Sequence, residues 1–124
     1  MFIFYNKNPA GNVTGDCVIR ALSTIADSEW DDIWLEIMTL AFKEKDMMTS
    51  NRIWQKYLHS KGYIRHNIPD TCPDCYTISD FSRDFNVGSF IVGTGTHVVA
   101  VKEGNYYDTW DSGNEIPIYY WEKG

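Results

Sequence analysis

His97-Val98-Val99-Ala100-Val101-Lys102-Glu103-Gly104-Asn105-Tyr106-Tyr107-Asp108-Thr109-Trp110 sets two runs rich in β-branched and aromatic residues around a glycine turn. Such a pattern predicts a β-hairpin, with strands over 97–101 and 106–110. Folding the chain at Glu103-Gly104 places Val101 opposite Tyr106, Val99 opposite Asp108 and His97 opposite Trp110. Two further strands are expected on either side, at 89–92 after Gly88 and at 116–121, joined by Gly93-Thr94-Gly95 and by the loop 111–115.

Upstream the period changes. Val18, Ala21, Leu22 and Ile25 recur at helical spacing, with Thr14 or Asp16 available as the cap. Trp30, Ile33, Trp34, Ile37 and Ala41 form one apolar face of a second helix, preceded by Ser28-Glu29-Trp30-Asp31, which resembles a capping box. A third helix carries Ile53, Trp54, Tyr57 and Leu58 between a cap at Thr49 or Ser50 and a stop at Gly62. Residues 2–5 read as a short strand, 63–68 as extended, and Ile78, Phe81 and Phe85 as a short helix. Helices followed by strands predict an α+β domain over 1–124, with N-terminal helices packed on a C-terminal antiparallel sheet.

The chain has 124 residues, 44% of them hydrophobic, and a length at which one core can form without disulfides or metals. Eleven Lys and Arg stand against 17 Asp and Glu, with no block of basic residues. This argues against nucleic acid and against anionic membranes as partners. No stretch approaches membrane-spanning length, and the N-terminal residues lack the basic segment of a signal peptide. Three cysteines, an odd number, do not suggest a secreted disulfide framework, so a cytoplasmic location is expected.

Cys17 falls in the first turn of a helix that follows a glycine-containing loop, where the helix dipole favours a thiolate. A thiol nucleophile also needs a base within reach. His97 opens a strand whose alternate residues, Val99 and Val101, are apolar, so its imidazole needs a polar partner. Asp108 lies diagonally across the hairpin from it and is positioned to orient the ring. A one-residue slip of register would substitute Asp111. Each piece also has a plain structural explanation, as a small core thiol or a hydrogen-bonded strand histidine.

The order helix-start Cys17, strand-opening His97 and next-strand Asp108 resembles that of papain-like cysteine peptidases, including their bacterial C39-like branch. Asp108-Thr109-Trp110 is similar to the Asn-Ser-Trp of papain-type enzymes, in which the first residue orients the histidine and the Trp shields the pair. Gly15-Asp16-Cys17-Val18-Ile19-Arg20-Ala21 and Tyr107-Asp108-Thr109-Trp110-Asp111 also resemble segments of small phage and bacterial proteins. The likeness covers the order of elements over most of the chain, and specific residues only around 12–21 and 97–111.

It implies a papain-like fold and a thiol protease-like hydrolase or transamidase that works through a Cys17-His97-Asp108 catalytic triad, with a peptide or protein substrate and no cofactor. The family's oxyanion-binding Gln, six residues before the Cys, is here Gly11, which leaves Asn12 as the nearest amide for that role. Papain-type enzymes are about twice as long, so a substrate groove here is shallow or shared with a partner. The rival expectation is a catalytically silent papain-like protein, phage-encoded, that binds a host protein through its aromatic-rich surface.

Cys72-Pro73-Asp74-Cys75 has the spacing of half a zinc site or of a redox pair. Zinc needs two more ligands, and only His59 and His66 are near, at no standard spacing. No strand-to-helix junction accompanies the pair as a thioredoxin-like motif requires, so two reduced loop cysteines are expected and metal is not. Trp30 and Trp34 read as core, Asp31 and Asp32 as a solvated helix face, and Arg20 as either near Cys17 or turned to solvent.

Overall fold

In the computed structural model, which describes residues 1–124, the elements run β1 (Phe2–Phe4), α1 (Cys17–Ile25), α2 (Trp30–Glu44), α3 (Asn51–Ser60), β2 (Tyr63–Asn67), α4 (Ile78–Asp84), β3 (Ser89–Gly93), β4 (Val98–Lys102), β5 (Asn105–Asp108) and β6 (Tyr119–Lys123). The molecule is α+β, with one six-stranded sheet in the order β1-β5-β4-β3-β6-β2.

The hairpin is as the turn demands. Val101 stands opposite Tyr106, and both Glu103 and Gly104 take positive φ, the geometry that matches the twist of the strands they join. The expected purely antiparallel, C-terminal sheet is corrected. β1 pairs parallel with β5, and β2 comes from between the helices to pair antiparallel with β6. A parallel neighbour needs a long crossover, so the pairing of Phe2–Phe4 with residues far down the chain leaves no turn signature to read. The last strand also starts late, at Tyr119. Pro117 has no N–H to give a ladder, and Ile116 and Ile118 are exposed.

The sheet separates two apolar clusters. On one face Ile19, Leu22, Ile37, Ile53 and Trp54 of α1–α3 pack against Ile91, Val98, Ala100 and Trp121. On the other, Ile78 and Phe81 of α4 pack against Phe90, Val92, Val99, Val101 and Tyr106. β3 and β4, covered on both faces, are therefore apolar at nearly every position.

Helix α2 buries Ile33, Ile37 and Ala41, whereas Trp30 and Trp34 are only half-buried and stack on one another with centroids 6.5 Å apart. No side chain caps its N-terminus, so the box expected at Ser28 does not form. The reduced pair expected at Cys72 and Cys75 is corrected as well, because the turn through Pro73 brings their Cα atoms to 4.2 Å and the sulfurs are bonded. With that pair bridged, the cysteine count no longer speaks for a reducing compartment. No group of three or more His, Cys, Asp or Glu is gathered to hold a metal, and no helix is long and apolar enough to cross a membrane.

Candidate active site

Three chain ends meet at one edge of the helix-covered face. They are the N-terminus of α1, the residue before β4 and the last residue of β5. His97 lies just outside the β4 ladder, so it is released from the alternation that turns Val99 and Val101 toward α4. It lines a cavity together with Cys17, Ile19, Ile37 and Trp54, on the opposite side of the sheet from the one expected. The alternation holds for the valines and fails at the histidine because the strand begins at Val98.

The His97 Nε2–H donates to Asp108 Oδ2 at 2.5 Å, which leaves Nδ1 for the Cys17 thiol. Asp108 is 2% exposed and accepts from every side. Ser112 Oγ donates to Oδ2 at 2.8 Å, the Thr109 N–H donates to Oδ1 at 2.8 Å, and Arg20 Nη1 donates to Oδ1 at 3.2 Å. Asp111, the alternative third member, accepts instead from the Tyr106 hydroxyl and the Gly113 N–H, away from the histidine. Trp110 lies with its ring centroid 4.9 Å from that of His97 and shields it in part from water.

These contacts decide protonation. Burial pushes the Cys17 thiol up, but hydrogen bonds from His97 and the Val98 N–H, with the charges of His97 and Arg20, outweigh it and leave the pKa below the ordinary value. Burial pulls His97 down, while hydrogen bonds with Asp108 and Cys17 and their negative charges raise it to about 9. Asp108, pushed up by burial, is brought below the usual carboxylate range by His97, Ser112 and Thr109. Both shifts favour a thiolate beside an imidazolium.

Arg20, which sequence alone left undecided, turns inward. Its Nε donates to Asp16 Oδ1 at 2.9 Å while Nη1 reaches Asp108 and Thr109 Oγ1, so one guanidinium ties the start of α1 to the end of β5. Asp16 occupies the N-cap position without capping, because its other oxygen accepts from Trp30 Nε1 and Asn8 Nδ2. The first-turn N–H groups of α1 are therefore left without a side-chain partner beside Cys17, where an oxyanion develops in acyl transfer.

Asn12 is the misplaced residue. It is exposed on the preceding loop and borders a neighbouring depression rather than the cavity that holds Cys17 and His97. Asn12→Ala is accordingly expected to change Cys17 acylation by no more than a few-fold, measured as the rate of thioester formation. A true oxyanion donor would cost roughly 10²–10³.

Two partners of Asp108 escaped the sequence reading. Ser112 carries no local signal, whereas the i,i+4 pair Asp16–Arg20 was visible but is the kind that ordinarily faces solvent. The cavity itself measures about 250 Å³ and is closed by the β3–β4 turn at Gly95-Thr96 and the α2–α3 turn at Met48-Thr49.

Fold and site together define an α+β protein in which a cysteine at a helix start, a histidine before a strand and an aspartate at the end of the next are brought together. Compared with protein-family models, with curated proteins and with solved structures, the chain matches none.

Proposed function

We propose that this chain is a papain-like thiol hydrolase or acyltransferase acting on a peptide, isopeptide or related amide. The observation that carries the reading is that Cys17 and His97 line one cavity while Asp108 holds His97 from behind, with the thiol pKa lowered despite burial. In the first step the Cys17 thiolate forms a bond to the acyl carbon, and the C–N bond breaks as the His97 imidazolium gives its proton to the departing amine. In the second, neutral His97 takes a proton from water or an acceptor amine, which attacks the thioester and returns the thiolate; the imidazole keeps that proton. Asp108 holds the ring and stabilises its charged form throughout. The first-turn N–H groups of α1 stabilise the oxyanion at each tetrahedral stage.

The test uses an aryl ester acyl probe followed by mass spectrometry of the intact protein. A single acyl adduct on Cys17 is expected, turned over by water or by added amine, and absent from Cys17→Ala and His97→Ala. Equal labelling of the wild type and His97→Ala would remove the relay from the reading. It would leave a catalytically silent binding protein of the same fold as the better account.

A further inference from the structure

Of the uncharged polar side chains that line the Cys17 cavity outside the triad contacts, Thr49, Asn51, Thr96 and Tyr119, the tyrosine is the largest. Tyr119, on β6, is 4% exposed and lines the cavity with its ring against Trp54, centroids 6.3 Å apart, yet its hydroxyl makes no hydrogen bond within the protein. The hydroxyl is not one of the polar atoms sealed from solvent without a partner, so at the cavity wall its partner is a displaceable water or a ligand atom. The nearest comparable group has been satisfied, since Trp54 Nε1 donates to Asn51 Oδ1 at 2.9 Å.

The backbone makes room for this phenol. Tyr119 pairs across the sheet with Gly93, and a Cβ there would overlap the end of the ring and its hydroxyl. Gly93 does not have a positive φ, so the position calls for glycine on grounds of space and not of conformation. The ring consequently lies across β3 toward Val98, the residue after the histidine. Burial is the main cause of the raised pKa of Tyr119; the Arg65 guanidinium, 4.4 Å from the ring centroid, opposes it, and the charge of Cys17 adds to it.

The remaining walls restrict what fits. Ile19, Ile37, Trp54 and Val98 are apolar, Thr49, Asn51 and Thr96 are polar but uncharged, and no Lys or Arg borders the cavity. Its single carboxylate, Asp16, is already engaged by Arg20, Trp30 and Asn8. A cavity of roughly 150 Å³ suffices for a benzene ring, so about 250 Å³ accommodates a ring-sized group with a substituent.

We propose that Tyr119 is the specificity-determining end of the acyl pocket, its hydroxyl donating a hydrogen bond to an acceptor atom on an otherwise apolar, uncharged acyl group held beside Cys17. This rests on the reading of Cys17 as the nucleophile, and it names the substrate class. An amide or ester whose acyl portion ends in a neutral acceptor is preferred over its hydrocarbon isostere.

The experiment separates the pocket from the chemistry by using Cys17→Ala protein, titrated at pH 8 with 4-methylpyridine and, separately, with toluene. The two are alike in shape and differ in one ring acceptor. Amide shifts of Gly93 and Val98 report binding.

The pyridine is expected to bind about fivefold more tightly, the size of effect one neutral hydrogen bond produces. The preference should vanish in Cys17→Ala/Tyr119→Phe with toluene binding unchanged. Gly93→Ala, which displaces the ring, should erase it as well. Absence of a preference, its survival in the Phe variant, or failure of both fragments to shift these amides would each overturn the proposal. A preference that stands while wild-type Cys17 stays inert to the acyl probe would keep the pocket and refute the nucleophile.

Discussion

Alkylation of Cys17 by iodoacetamide is expected to persist to lower pH than an ordinary thiol allows and to fall at pH 6 in His97→Ala, by up to about three hundredfold. Cys17 is the only free thiol, so the reaction reads that sulfur alone in the absence of reductant. Without His97 the strongest influences lowering its pKa disappear and burial, which raises it, prevails. A thiol with a pKa of roughly 8.5 is only about 0.3% thiolate at pH 6, which sets the expected loss. Equal rates in the two proteins at pH 6 would mean that no thiolate–imidazolium pair exists.

Equilibrium unfolding over the same range is the companion measurement, because the two groups act on stability with opposite sign. His97, raised from 6.5 to about 9, contributes stability that is complete below about 6.5 and is lost as pH rises through about 9. Cys17, lowered from 9.0, contributes stability that is present above its unfolded value and is lost as pH falls through its folded one. Across the shared window one group holds an extra proton in the folded state and the other lacks one. Stability is therefore expected to stay nearly flat where these two groups alone are considered, while the His97→Ala comparison changes reactivity steeply.

Arg20→Leu is expected to destabilise the fold by about 3–5 kcal/mol. Its guanidinium is 11% exposed and bridges carboxylates that are 5% and 2% exposed, so removing it leaves two buried acids without their common cation. Burying an ion pair is no guarantee of net stabilisation, but deleting one member strands the others in a region of low polarity. Urea denaturation is the direct measurement, with a lower midpoint and an unchanged slope as the signature of lost native stability.

Arg20→Lys should recover part of the loss, because an ammonium can meet one carboxylate but cannot span both with a planar fork. A cost under about 1 kcal/mol for the Leu variant would place the pair among ordinary surface contacts.

The hairpin and the helix faces were legible because each rests on short-range rules. Glu103-Gly104 dictates the register of Val101 and Tyr106, and the spacing of Ile33, Ile37 and Ala41 dictates which side of α2 is buried. What the sequence hid is long-range. β1 finds β5 with no turn between them, and β2 leaves the helical half of the chain to close the opposite edge.

Within the site, Asp108 meets His97 because the histidine precedes β4 and is free of its alternation, whereas Asp111 is engaged by Tyr106 and Gly113. The Asn12 assignment depended instead on the path of the loop from Asn6 to Gly15, which local sequence does not specify. That loop takes its shape from contacts such as Asn6 Nδ2 donating to the Asn12 carbonyl and Asn8 Nδ2 donating to Asp16. The Cys72–Cys75 bond lay hidden because the pair sits in a loop without the strand-to-helix junction of a redox motif, and only the path of that loop brings the sulfurs together.

The pairing of β1 with β5 has a consequence beyond architecture. The backbone of Asp108 is gripped from outside by the Tyr5 N–H, and the Met1 carbonyl accepts from Tyr106, so the relay's carboxylate stands on a strand whose free rim is sealed. Strip away those first residues and β5 becomes a naked border, open to adhesion by any extended chain. The same handful of peptide bonds thus covers the strand that carries Asp108 and moves the border of the sheet out to a strand of only three residues.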